Sequence, residues 1–166
     1  MVAFLFYLLD NYFRKKCDLM KIYISADHKG VELKNEVINY LTNNGINVID
    51  IGLKNYELDD YPDFAFAVCK KVVEEDDNLG ILICGNGIGM SIAANKVKGI
   101  RAARAVTVDD AFKAKNHNGA NVLALSSEVD MATTKEIVDT FIITKAADDA
   151  RFIRRINKIA EYESSK

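Results

Sequence analysis

The segment Leu79 to Cys84 (LGILIC) runs six residues without one charged side chain. A strand with one wet face alternates polar and apolar residues, whereas an unbroken apolar strand must be covered on both faces, as in the interior of a parallel sheet. Gly85-Asn86-Gly87-Ile88-Gly89 ends the run at once, and helical spacing resumes from Met90 through Val97. The pattern predicts a central strand, a glycine turn and a helix. That unit needs further strands on either side and helices above and below.

The rest of the chain supplies them. Lys21 to Ser25, Asn47 to Ile51, Ile100 to Val106 and Asn121 to Leu125 read as four more strands. Between them, Val31, Leu33, Val37, Ile38 and Leu41 recur at helical spacing, and the only proline, Pro62, marks a second helix start. Helices are also expected near Asp109 to Asn116, Val129 to Thr144 and Asp148 to Tyr162. Repeated strand-helix order implies an open, doubly wound α/β sheet with right-handed crossovers, and ligands at the carboxyl ends of its strands.

At 166 residues, 49% hydrophobic and 28% charged, the chain has the size and composition of one globular domain. We place that domain at residues 20–166, after an extension of unknown role over residues 1–19. The apolar run Met1 to Leu9 is too short to span a bilayer, and Arg14, Lys15 and Lys16 follow it rather than precede it, the wrong order for a secretory signal. A net charge of -2 gives no electrostatic case for nucleic acid or a membrane surface. Cys17, Cys69 and Cys84 form no metal or disulfide pattern, so a reducing cytoplasm is the expected location.

Polar and titratable residues gather at the predicted loops: Asp27-His28, Cys84 to Gly89, and Asn116-His117-Asn118 leading into the fifth strand. We expect all three at one sheet edge. Gly85, Gly87 and Gly89 let backbone N–H groups converge on an anion. The loop follows the third strand and lacks the third glycine of a dinucleotide fingerprint, and no Lys-Ser or Lys-Thr follows at Walker spacing. A small phosphorylated or enolate-forming substrate fits better. Cys84, next to those amides, is placed to act as a thiolate base or nucleophile, with His28 or His117 as a proton-transfer partner.

These residues resemble a known family. Asp27-His28-Lys29-Gly30, Asp60-Tyr61-Pro62, the block Gly80 to Lys96 (GILICGNGIGMSIAANK), His117-Asn118 with Asn121-Val122-Leu123-Ala124, and the late arginines are similar to the type B ribose-5-phosphate isomerases, a family that includes galactose-6-phosphate isomerase subunits. The resemblance runs from Met20 to about Ile159. It implies a Rossmann-like three-layer α/β/α sandwich with a five-stranded parallel sheet, no metal or organic cofactor, and a homodimer or homotetramer with active sites at subunit contacts.

By that resemblance the chain is an aldose-ketose isomerase interconverting ribose 5-phosphate and ribulose 5-phosphate through an enediolate, in the pentose phosphate pathway. Cys84 is the implied base and His117 the implied ring-opening group. Asp27, Tyr61 and Asn118 would hold the sugar, Gly85, Asn86, Gly87, Ile88 and Gly89 the enediolate oxygen, and Arg151 and Arg155, with His28, the phosphate. Two positions depart from the pattern: Asn86 stands where many relatives have Thr or Ser, and Glu128 where an arginine is common. The alternatives are a six-carbon sugar phosphate, such as galactose or allose 6-phosphate, and a non-catalytic phosphate- or nucleotide-sensing module.

Overall fold

The computed structural model describes residues 20–52 and 60–165 of the chain. The extension assigned to residues 1–19, with Cys17, lies outside them. In chain order the elements are β1 (Ile22–Ala26), α1 (Val31–Asn43), β2 (Val48–Asp50), α2 (Tyr61–Val72), β3 (Leu79–Cys84), α3 (Ile88–Ala94), β4 (Ala102–Arg104), α4 (Val108–Asn118), β5 (Val122–Ser126), α5 (Met131–Ile143) and α6 (Ala150–Ser164). The strands pair in the order β2-β1-β3-β5-β4, and every pairing is parallel. The expected five-stranded α/β sheet with β3 at its centre is what forms. Among the described residues no helix is long and apolar enough to cross a membrane.

All six residues of β3 are buried, as a strand covered on both faces must be. Ile81 and Ile83 point into a cluster with Ile22, Ile24, Val37, Leu41, Leu123 and Phe141. Leu82 and Cys84 point into the other, with Tyr23, Phe64, Val68, Met90 and Ala124. The two clusters are the two sides of the α/β/α sandwich. Each fully buried aliphatic or aromatic side chain contributes about 1.5–3 kcal/mol.

Several element boundaries shift by one to three residues from the expectation, and two of the shifts have a plain local reason. The strand expected over residues 100–106 is only Ala102–Arg104, because side chains take over the backbone groups at its start. The Arg101 amide donates to Asn121 Oδ1 at 2.8 Å, and Asn95 Oδ1 accepts the Ala102 amide at 2.9 Å. At the other end Thr107 starts α4 with a capping box completed by Asp110. The helix α3 starts at Ile88 rather than Met90, since Gly87 turns the chain in the left-handed region (φ 76°) and Asn86 Oδ1 accepts the Ile88 amide.

The edge strand β2 is held to α1 by a buried lysine: Lys34 Nζ pairs with Asp50 at the end of β2, its side chain almost fully covered. By contrast α6 buries no residue completely, although Phe152 and Ile156 on one face are half-covered. Ile153, Ile159 and Tyr162 of the same helix remain exposed.

The central position of β3 yields a stability test. Leu82→Ala removes a fully buried side chain from the central strand and should destabilise the fold by about 2–5 kcal/mol in urea unfolding.

Candidate active site

The strand order reverses between β1 and β3, where the chain first builds outward through β2 and then crosses to the other side. Crossovers leave in opposite directions there, and the carboxyl ends of strands at such a reversal are where open α/β sheets bind ligands. Register pairs Ala26 with Ile83. Asp27 and Cys84 are therefore neighbours on that edge, and the Asp27 amide donates to the Ile83 carbonyl at 3.2 Å. Both side chains are buried, at 8% and 6% exposure. Asp27 Oδ1 accepts the amides of Lys29 and Gly30 (3.0 and 3.2 Å), which fixes the entry to α1.

The loop from Gly85 to Gly89 is held by its carbonyls. Ser126 Oγ donates to the Gly85 carbonyl at 2.7 Å, and Arg104 Nε donates to the Asn86 carbonyl at 2.6 Å. The Gly87 amide donates to Cys84 Sγ at 3.1 Å, so the sulfur already sits against a loop N–H. Only glycine suits position 87, because φ is positive and an added Cβ would lie 3.1 Å from the Leu125 carbonyl oxygen. At Gly89 a Cβ would fall 2.8 Å from the Tyr61 ring, so the tyrosine lies directly across the start of α3. Tyr61, His28, Asn86 and Ile88 are all exposed at this edge. Asn86, the first departure from the family pattern, spends its side-chain oxygen on the Ile88 amide at 3.0 Å.

His117 and Asn118 do not join this group within one chain. The helix α4 runs antiparallel to the strands, so the residues that lead into β5 lie at the amino edge of the sheet. Arg101, just before β4, donates from Nε to the Asn118 carbonyl at 3.1 Å. The five residues of β5 separate that edge from Cys84 by about 16 Å, at roughly 3.3 Å per residue. The shared edge expected for His117 and Cys84 is thus corrected by the direction of one helix.

A second cluster forms around His117 instead. Its ring stacks on Phe152 (4.4 Å between centroids, 21° between planes), with Phe112 edge-on at 6.2 Å. The Arg151 guanidinium covers the other aromatic partner, 4.6 Å from the Phe152 centroid, and pairs with Asp149 at 3.8 Å. Arg155 follows one turn later and is exposed. The candidate residues thus fall in two groups: Asp27, His28, Tyr61 and the Cys84–Gly89 loop at one end of the sheet, and His117, Asn118, Arg151 and Arg155 at the other.

Sequence reasoning missed Ser126, Arg104 and Lys29 as supports of the loop. Lys29 lies along Gly85, with its Cδ 3.1 Å from where a Cβ would be. A serine ending one strand and an arginine ending another carry no pattern that separates them from surface residues. Among the described residues no three His, Cys, Asp or Glu side chains come together as a metal site. Cys69 is fully enclosed in α2, and burial pushes its thiol up to about 12, so it is not a working nucleophile.

The family model described as Ribose/Galactose Isomerase matches residues 22–159. The chain is 46% identical over 145 residues to a probable ribose-5-phosphate isomerase B of Mycoplasma genitalium, an alignment covering 86% of this chain and 95% of that one. It is 40% identical over 146 residues to ribose-5-phosphate isomerase B of Mycobacterium tuberculosis, covering 87% and 90%. A crystal structure of the Mycoplasma genitalium ribose-5-phosphate isomerase B with bound ribulose-5-phosphate superposes with a TM-score of 0.83 at 43% identity, over 89% of this chain and 98% of that one. The Thermotoga maritima ribose 5-phosphate isomerase gives 0.80 at 46% identity, over 85% and 97%.

The loop geometry makes a prediction independent of any substrate. Gly87→Ala forces a side chain into the left-handed region and against Leu125, and should cost about 1–2 kcal/mol or more in chemical denaturation.

Proposed function

The chain belongs to the ribose/galactose isomerase family, and from that premise we propose that it interconverts ribose 5-phosphate and ribulose 5-phosphate through an enediolate. Cys84, as thiolate, removes the proton from carbon 2 of the open-chain aldose. The electron pair moves into a carbon 1–carbon 2 double bond, and the carbonyl oxygen at carbon 1 takes the negative charge. The Cys84 thiol then returns the proton to carbon 1 while the carbon 2 oxygen becomes the ketone, its hydroxyl proton passing to the carbon 1 oxygen. The thiolate is regenerated and no redox partner is required.

The observation that carries this reading is Cys84 seated beside Asp27 with a loop N–H already donated to its sulfur. Dipoles fixed before the reaction stabilise developing negative charge without reorganising. Asp27 and Tyr61 lie at the same end of the sheet and suit the sugar hydroxyls. Free-thiol chemistry also fits a reducing compartment.

The separation of the two groups supports a site shared between two copies of the chain. His117, Asn118, Arg151 and Arg155 of one copy would face Asp27, Tyr61 and Cys84 of the other, with His117 assisting ring opening and the arginines holding the phosphate. A two-fold arrangement makes two such sites, since each copy both gives and receives. Arginines four residues apart on a helix suit a phosphate, which they grip by charge-assisted hydrogen bonds.

Three measurements test this function. Cys84→Ala should retain sugar-phosphate binding and lose isomerisation by about 10²–10⁴-fold, and near-normal turnover would remove the base assignment. Arg155→Ala should raise KM for the phosphorylated substrate about tenfold with stability nearly unchanged. Mixing inactive Cys84→Ala and His117→Ala chains under exchanging conditions should restore roughly a quarter of parent activity, because half the dimers are mixed and each has one intact site. No recovery would place both residues in a site within one chain.

A further inference from the structure

We propose that Arg104 is a positioning residue for Cys84, acting through the single peptide unit that joins Asn86 to Gly87. Its Nε donates to the Asn86 carbonyl at 2.6 Å, and the amide on the far side of that peptide, Gly87 N–H, donates to Cys84 Sγ at 3.1 Å. No described peptide is cis, so the carbonyl and the N–H point in opposite directions along one plane. Fixing the oxygen therefore aims the N–H at the sulfur.

The link is electronic as well as geometric. A guanidinium on the carbonyl oxygen draws electron density from the amide, and bonds chained in this way strengthen one another by roughly 10–30% each. A thiolate is the stronger acceptor of the two sulfur forms, so the relay favours the anion. Arginine suits the task because its charge is permanent and its Nε–H is held in a rigid plane.

Arg104 is the last residue of β4, the edge strand beyond β5, and is exposed. Asp110 of α4 lies near it. That carboxyl is held below the usual range, first by the Thr107 side chain and in smaller part by Arg104. Of the other groups around Cys84, Asp27 binds the amides of Lys29 and Gly30, Lys29 lies along Gly85, and Tyr61 covers Gly89. None of them bonds to the Asn86 carbonyl, which leaves that oxygen to Arg104.

The inference rests on Cys84 being the base, and the test separates the two. Cys84 alkylation by iodoacetamide at pH 7 is followed by peptide mapping, which distinguishes it from Cys17 and from the enclosed Cys69. Arg104→Met should slow Cys84 alkylation about fivefold and lower kcat by a similar factor, with KM within twofold of the parent. Arg104→Lys, which keeps the charge and loses the planar Nε–H, should fall between. Alkylation and kcat within twofold of parent in both variants would overturn the role, as would a raised KM with unchanged kcat, which would make Arg104 a substrate contact. Should Arg104→Met fail to fold, slowed alkylation in Arg104→Lys carries the test alone. Were Cys84→Ala to remain active while Arg104→Met still slowed alkylation, the base would fall and the positioning role would stand.

Discussion

Because β3 has no face toward water, helices must pack on both sides of it, and every connection in the chain must carry the backbone over one face or the other. The chain answers by winding outward through β2, returning through β3, and finishing with β5 and β4 beyond it. That reversal lies beside Cys84, between β1 and β3. Both β1 and β3 end at that reversal, and Cys84 is the last residue of the buried strand. The backbone of Cys84 belongs to the core ladder, and its sulfur accepts a hydrogen bond from the loop.

The loop itself depends on support from outside its own segment. Ser126 at the end of β5 and Arg104 at the end of β4 hold two successive carbonyls, and Leu125 presses against Gly87. Two strands distant in sequence from the loop thus set the orientation of its peptides. Such support costs nothing to reorganise during a reaction, which is why amides on a fixed scaffold serve better than mobile side chains.

The sheet, its parallel direction and the central place of β3 were legible because they rest on hydrophobic periodicity and on the glycine turn. The places of Cys84, Asp27 and the glycine loop were legible for the same reason, since Cys84 ends a strand and the other two directly follow one. Three things were not. The direction of α4 carries His117 away from Cys84, and a residue's distance from the next strand does not say which edge it occupies. The side-chain bonds of Asn95 and Asn121 shorten β4, and local propensity has no term for a ladder captured by amides. Arg104 and Ser126 act through backbone atoms, so their identities form no motif with the residues they support.

The two outer strands are each three residues long. One is clamped to α1 through Lys34 and Asp50, and the other ends in Arg104. Short, charge-bearing edges offer little template for another chain to add a strand, and they guard the sheet against edge-to-edge aggregation. Growth of the sheet into a longer ribbon is closed off on both flanks. Any lasting union of two copies must then be made by helix surfaces, where Ile88, Ile92, Ile153 and Tyr162 stand exposed, and the sheet stays a closed unit within each chain.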